Sequence, residues 1–221
     1  MSTKKILKKA ESIKIIKSKK DKINNILEES KKIRDSFSEE IIEVRKKYKE
    51  EPNKQYWRRI YIRTVFAFIE SECFRLKQNT LNRINESLLG SQFSPGEISL
   101  LKEKTFNLNN KGEIEEKDIY LKTEKNLRFA FNSAAKLSFD FKLNVSGVGW
   151  ESFKKALKIR HQVTHSKKFS DLIISDKEMN IAKKAFNWFI NSLNMLFDAQ
   201  AKYSKELAKK LNQLKKEIEE L

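Results

Sequence analysis

Nothing in the first 89 residues of this chain forces a backbone break except Pro52, because the first glycine is Gly90. Proline lacks an N–H and glycine destabilises a helix interior, so their scarcity leaves long helices as the natural outcome. Apolar residues in 3–50 step by three and four: Ile6, Ile13, Ile16, Ile23, Leu27, Phe37, Ile41, Val44 and Tyr48. That spacing predicts one very long helix with a coiled-coil-like stripe, interrupted at Lys20, Ser30 and Arg34. The far end mirrors it. Ser175-Asp176, with Glu178 in the first turn, predicts a helix start. Met179, Ala182, Phe186, Phe189, Leu193, Leu196, Tyr203, Leu207, Leu211, Leu214, Ile218 and Leu221 then form a second long stripe. That helix would span roughly 65–70 Å at 1.5 Å per residue. Two such helices suggest an antiparallel stalk, either within one chain or between two.

Fourteen of the fifteen phenylalanines fall between Phe66 and Phe197, together with Trp150 and Trp188. The globular core belongs there. Further helices are expected at 55–89, 95–104 (Ser94 as cap, Pro95 as first residue), 122–139 and 150–164. Residues 105–116 read as one small β-hairpin turning at Asn110-Lys111-Gly112. The expected fold is all-α: a helical bundle with long N- and C-terminal helices and a single hairpin insertion. Its expected parts are a basic amphipathic helix over 1–51, a helical domain over 52–200 and a helical extension over 201–221.

The charge balance is 47 Lys plus Arg against 30 Asp plus Glu, a net +17. A strongly basic chain has polyanions as its default partners, nucleic acid first. Cys73 stands alone, so no intramolecular disulfide or multi-cysteine zinc site is available, and a reducing cytoplasm fits. No apolar run approaches the roughly 18 residues of a membrane span, so no membrane partner is expected. The N-terminus is basic and lacks the apolar stretch of a secretory signal.

Both histidines lie in one hexapeptide, Arg160-His161-Gln162-Val163-Thr164-His165. Imidazole exchanges protons readily near neutral pH, and guanidinium offers a fork that matches phosphate oxygens. From Ser152 to Lys168 the chain carries Lys154, Lys155, Lys158, Arg160, Lys167 and Lys168 and no acid. Phe153, Ala156, Leu157, Ile159 and Val163 set the buried face, and Arg160 borders it. A zinc site built on His161 and His165 would need Cys73 or a distant carboxylate. The metalloprotease pattern also requires Glu where Gln162 stands, so no metal is expected. Solvated basic residues at a helix end are the bland alternative, favoured by the helix dipole. No Gly-x-Ser-x-Gly elbow or phosphate-binding loop occurs. Gly147-Val148-Gly149 lacks a dinucleotide fingerprint, and the aromatics are spaced for a core and not a base-stacking sheet.

Arg160-His161-x3-His165 resembles the Arg-x4-His signature of HEPN domains. The surroundings are similar too: a helix led by Trp150-Glu151-Ser152-Phe153 and a short loop Asp171–Asp176. The helix that follows bears Phe186-Asn187-Trp188-Phe189, and Tyr61–Leu76, with Arg63 and Glu70, resembles the family's opening helix. The likeness spans about 55–200. It implies a helical bundle that dimerises and, in many relatives, a metal-independent endoribonuclease of toxin–antitoxin, abortive-infection or CRISPR systems, with an antitoxin or defence partner. Others of the family are inactive or only bind nucleotides. One toxin subtype carries a modifiable Tyr two residues after the motif His; Lys167 stands there.

On that resemblance, His165 acts as acid or base and Arg160 clamps the phosphate. His161 is a second proton-transfer group or an orienting residue. Thr164 supports the motif, and Glu70 is a candidate to hold Arg160, a structural surface Glu being the alternative. Lys154, Lys155, Lys158, Lys167 and Lys168 would grip the RNA backbone in a salt-dependent way. No cofactor is needed, because RNA brings its own 2′-hydroxyl nucleophile. A non-catalytic helical adaptor binding nucleic acid or protein through its basic arms is the other reading.

Overall fold

The computed structural model describes the backbone of Asn25, residues 28–29, 31–86, 92–137 and 140–219, with side chains through 209 and at Gln213. The fold is helical with one small hairpin. In chain order come α1 (31–50), α2 (Gln55–Glu86), α3 (Pro95–Leu101), β1 (Lys104–Leu108), β2 (Ile114–Asp118), α4 (Thr123–Ala135), α5 (Val148–Thr164) and α6 (Asp176–Glu219). A 3-10 turn at Phe169–Leu172 joins α5 to α6.

α2 is the axis of the molecule. Buried residues fall on more than one of its faces: Tyr61, Ile62, Val65, Phe66, Phe68, Ile69, Cys73 and Leu76. A helix covered on several sides loses the single apolar stripe that sequence periodicity detects. α1 covers one side. Phe37 meets Phe68 edge-on at 6.5 Å, and Tyr48 stacks on Tyr61 at 6.4 Å. Arg34 lies 5.4 Å over the Phe197 ring and Lys183 lies 4.5 Å over Tyr48, so α1 runs antiparallel to α6 as well. For this described stretch the pairing is within one chain. The N-terminal part of the expected 3–50 helix lies outside the described residues, except for helical Asn25 and 28–29. Ile41 and Val44 belong to the same buried cluster as α2 and α6, so the core runs past Pro52 into 31–50.

Most of the aromatic residues that marked the core form it, while Phe74, Phe106 and Phe169 are exposed. Phe68 contacts Phe186 and Phe189, and Phe131 contacts Phe189 and Phe141. Trp150, Phe153 and Trp188 make a three-ring group, and Phe66 leans on Phe153. A second buried cluster of Leu81, Ile84, Phe93, Leu101 and Leu137 seats α3 against the ends of α2 and α4.

Ser94 and Glu97 form a reciprocal capping box with Pro95 in the first turn of α3. Ser175 and Glu178 do the same at the start of α6. The expected helix 95–104 ends early, at Leu101. Lys102 caps it, and Glu103 turns left-handed with φ 57°, which carries the chain into β1. The strands pair antiparallel from Lys104↔Asp118 to Leu108↔Ile114. Asn109 closes the turn by accepting from the N–H groups of Lys111 and Glu113, and Gly112 supplies the positive φ of 76°. The hairpin thus begins one residue earlier and ends two residues later than the sequence suggested. The expected 122–139 helix runs from Thr123 to Ala135, and 138–139 lie outside the described residues.

Gly149 has a packing role that the sequence did not reveal. It sits in the first turn of α5, where an added Cβ would come within 2.3 Å of Trp188 Cδ1 and 2.8 Å of Trp188 Cβ. The contact with Cβ leaves no soft rotamer escape. Gly149→Ala is expected to lower stability by about 1–3 kcal/mol through overpacking, read as a fall in midpoint in thermal or denaturant unfolding.

Glu72, 1% exposed, is bound by Arg34 (2.8 Å) and Arg75, whose guanidiniums both lie near the Phe197 ring. Burial alone pushes this carboxyl up, but the hydrogen bonds from the two arginines outweigh it and hold it below the ordinary value of 4.5. A carboxyl depressed in the folded state stabilises the fold above the unfolded value and loses that contribution as pH falls through the folded one. Glu72→Gln should therefore cost about 2–3 kcal/mol at neutral pH. The gap between variant and wild type should shrink below about pH 4.5, as denaturant melts at several pH values will show.

Candidate functional site at the C-terminal end of α5

α5 buries Trp150, Phe153, Ala156, Ile159 and Val163 against α2 and α6, which fixes the direction of every other side chain on it. Arg160 borders that face and is half-buried. Its Nη2 lies 3.2 Å from Glu70 Oε1 and 3.4 Å from Oε2. Glu70 in turn accepts from Thr123 Oγ1 at 3.0 Å. Guanidinium carries five N–H donors, so this pairing leaves donors over.

His161 is in the last turn of α5 and His165 is its C-terminal cap. The His165 N–H donates to the His161 carbonyl at 2.9 Å, and φ −120°, ψ 46° takes the chain out of the helix. The two rings sit 4.7 Å apart between centroids, tilted by 54°, and both residues are exposed. Arg160 makes no hydrogen bond with either histidine among the described residues. It points to Glu70 on one side of the helix, while the imidazoles gather at its tip.

The surrounding cations differ in how free they are. Lys155, Lys158, Lys167 and Lys168 are exposed, as is Thr164. Lys154 pairs with Glu151 at 2.8 Å, one residue before the acid-free stretch begins. Asp171, just after it, accepts from the backbone N–H groups of Lys167 and Lys168 at 2.9 and 3.2 Å. The stretch is acid-free in sequence but closed by carboxylates at both ends.

α2 holds the loop that follows the histidines. Arg63 Nη2 donates to the Val163 carbonyl at 3.0 Å, sharing with Ser166 Oγ (3.1 Å) an acceptor in the last turn of α5. Arg59 donates to the Leu172 carbonyl at 2.9 Å. Arg58, 5% exposed, reaches the carbonyls of Pro52 and Ile174 at 2.7 Å each and Asp176 at 2.6 Å. Gln55 makes two further bonds with the Ile174 backbone. The sequence had pointed to Arg63 only through the family resemblance, and Arg58, Arg59 and Gln55 were missed. Their one visible signal was the density of arginine in Arg58-Arg59 and Arg63 on a helix otherwise rich in apolar side chains.

Beside Arg160 opens a cleft of about 630 Å³. α2 contributes Glu70 and Phe74, the ends of the hairpin contribute Lys102, Glu103 and Tyr120, and α4 contributes Asn126. The histidines do not line it. Among the described residues, no group of three or more His, Cys, Asp or Glu is disposed to hold a metal ion. Cys73 is buried and burial pushes its thiol far up, which makes it a poor nucleophile. No described helix is long and apolar enough to cross a membrane. No family model, curated protein or solved structure matches the chain.

Arg58→Ala would strip the donor from the Pro52 carbonyl, break the pair with Asp176 and leave the Ile174 carbonyl to Gln55 alone. It is expected to cost about 2–4 kcal/mol and to loosen 165–175, which hydrogen exchange of the backbone amides in that loop will reveal.

Proposed function

We propose that this chain is a metal-independent endoribonuclease that cleaves RNA by attack of the 2′-hydroxyl, leaving 2′,3′-cyclic phosphate and 5′-hydroxyl ends. The observation that carries the reading is the pair of exposed imidazoles, 4.7 Å apart, on the helix that also bears Arg160. The likeness of this motif and its flanking helices to HEPN domains supports it, and so does the net charge of +17.

In the proposed reaction one imidazole takes the 2′-hydroxyl proton as the oxygen attacks phosphorus. A protonated imidazole gives its proton to the departing 5′-oxygen. Each such transfer contributes roughly 10²–10⁴-fold. Arg160 stabilises the negative charge that builds on the phosphorane oxygens. Glu70, in contact with Arg160, is assigned the positioning of that guanidinium. His165 is assigned as acid or base, and His161 as its counterpart or as an orienting group. A symmetric homodimer would bring a second His165 to the same phosphate. Lys155, Lys158, Lys167 and Lys168 give salt-dependent grip on the RNA backbone. The setting we infer is cytoplasmic, in a toxin or antiphage-defence system with an antitoxin or partner protein.

One observation favours the second reading, a non-catalytic adaptor that binds nucleic acid or protein. Arg160 is already paired with Glu70, as a structural guanidinium would be. The two readings separate on one experiment: mixed RNA incubated with purified protein in chelator, beside His165→Ala and Arg160→Ala. The nuclease reading expects the wild type to release 2′,3′-cyclic phosphate ends and each variant to lose at least 10²-fold in rate, with unchanged circular dichroism. Wild-type protein that leaves RNA intact, or variants that cut as well as it does, would sink it.

A further inference from the structure

We infer that the cleft beside Arg160 is a nucleotide subsite, built to take one unstacked base with its ribose and phosphate. This rests on the ribonuclease reading insofar as Arg160 serves both places, but its geometry stands on different residues.

The polar wall of the cleft is fixed before any ligand arrives. Two relays hold it. Thr123 donates to Glu70, which bonds Arg160. On the other side Lys77, 0% exposed, donates to both Glu103 and Asn126 Oδ1. A fully buried ammonium is a costly device, retained here to orient two groups that face open space. Glu103 is also the one non-glycine residue with positive φ among the described residues, and left-handed backbone of this kind gathers at functional sites. Sites for small ligands pair such preset polar groups with apolar walls and enclose roughly 300–1,000 Å³, a range that includes this cleft at about 630 Å³.

The chemistry selects the ligand. Phe74 is 47% exposed on the wall and Tyr120 is 99% exposed on the rim, two aromatic faces that core packing does not explain. Exposed aromatics stack on bases splayed out of single-stranded RNA. Lys102 and Lys122 line the cleft without an ion pair among the described residues, and Arg160 completes a set of cations for phosphate. Glu70, Glu103 and Asp118, the last paired with Lys104 at 2.7 Å, offer acceptors for ribose hydroxyls or base amino groups. Because Lys77 occupies the Asn126 oxygen, the amide NH₂ is left to donate to a base edge. A nucleotide carries an anion, hydrogen-bond donors and an aromatic face together.

The test titrates the full chain with each of the four ribonucleoside 5′-monophosphates and their 2′-deoxy forms, by calorimetry or NMR, beside a parallel cleavage assay. The expected result is saturable binding of at least one ribonucleotide, weaker for its deoxy form and undisturbed by an equal concentration of inorganic phosphate. Tyr120→Ala should weaken it roughly tenfold through lost stacking, with an unchanged melting temperature because that side chain is exposed. Lys122→Glu should weaken it as well. No saturable binding of any of the four, or binding that neither variant alters, overturns the inference. Bound nucleotide with uncut RNA removes the ribonuclease reading and leaves the subsite. Cut RNA with an empty cleft does the reverse.

Discussion

A charge on a buried helix has to meet a partner, and α2 is buried on several faces while carrying charge along its whole length. Leaving such a group unpaired costs far more than pairing it returns. Six charged side chains of α2 therefore specify where another segment must lie. Arg58 and Arg59 fix the loop before α6, and Arg63 fixes the last turn of α5. Glu70 meets Arg160 of α5, Glu72 meets Arg34 of α1, and Lys77 meets Glu103 at the root of the hairpin. The aromatic core supplies most of the burial but is non-directional. The charges supply register, so α1, α5 and the hairpin dock at defined heights along one axis.

That arrangement accounts for the shape of the candidate site. Arg63 and Glu70 are seven residues apart, two turns of helix on the same side of α2. One holds the carbonyl of Val163 and the other holds the guanidinium of Arg160. α5 is thereby pinned on both sides of its last turn, which limits where the imidazoles of His161 and His165 can go. It also separates the two parts of the motif: the guanidinium is drawn towards the cleft, and the rings are left at the exposed tip. On the proposed reading, a phosphodiester would lie across that last turn and not in the cleft alone.

Much of the architecture was legible in the sequence because it depends on neighbours in the chain. The capping boxes at Ser94–Glu97 and Ser175–Glu178 span four residues, the hairpin turn spans five, and the apolar stripe of α6 repeats every three to four. α2 was legible as a helix from its lack of breakers, although its encasement was not. Glu70 was legible only as one candidate partner for Arg160, beside its reading as a structural surface Glu. What escaped was long-range: Arg58 with Ile174 and Asp176, Arg34 with Glu72, Lys77 with Glu103. Local periodicity carries no trace of which distant acid a given base will meet. The acid-free run 152–168 has its carboxylates just outside it, Glu151 beside Lys154 and Asp171 at the N–H groups of Lys167 and Lys168.

The end of α3 shows how a local departure from pattern becomes a feature of the molecule. Apolar spacing alone would carry that helix to residue 104. Lys77 instead captures the Glu103 carboxylate from within the core, and the backbone at Glu103 adopts φ 57° to meet it. The Glu103 carbonyl then accepts from the Ile119 N–H at 2.9 Å, which ties the two ends of the hairpin together. With its root fixed, the hairpin delivers Tyr120 to the rim and Lys122 to the head of α4. A helix that ran on would have closed the space that is now the cleft. The left-handed residue, the buried lysine and the open wall beside Arg160 are thus three aspects of one arrangement.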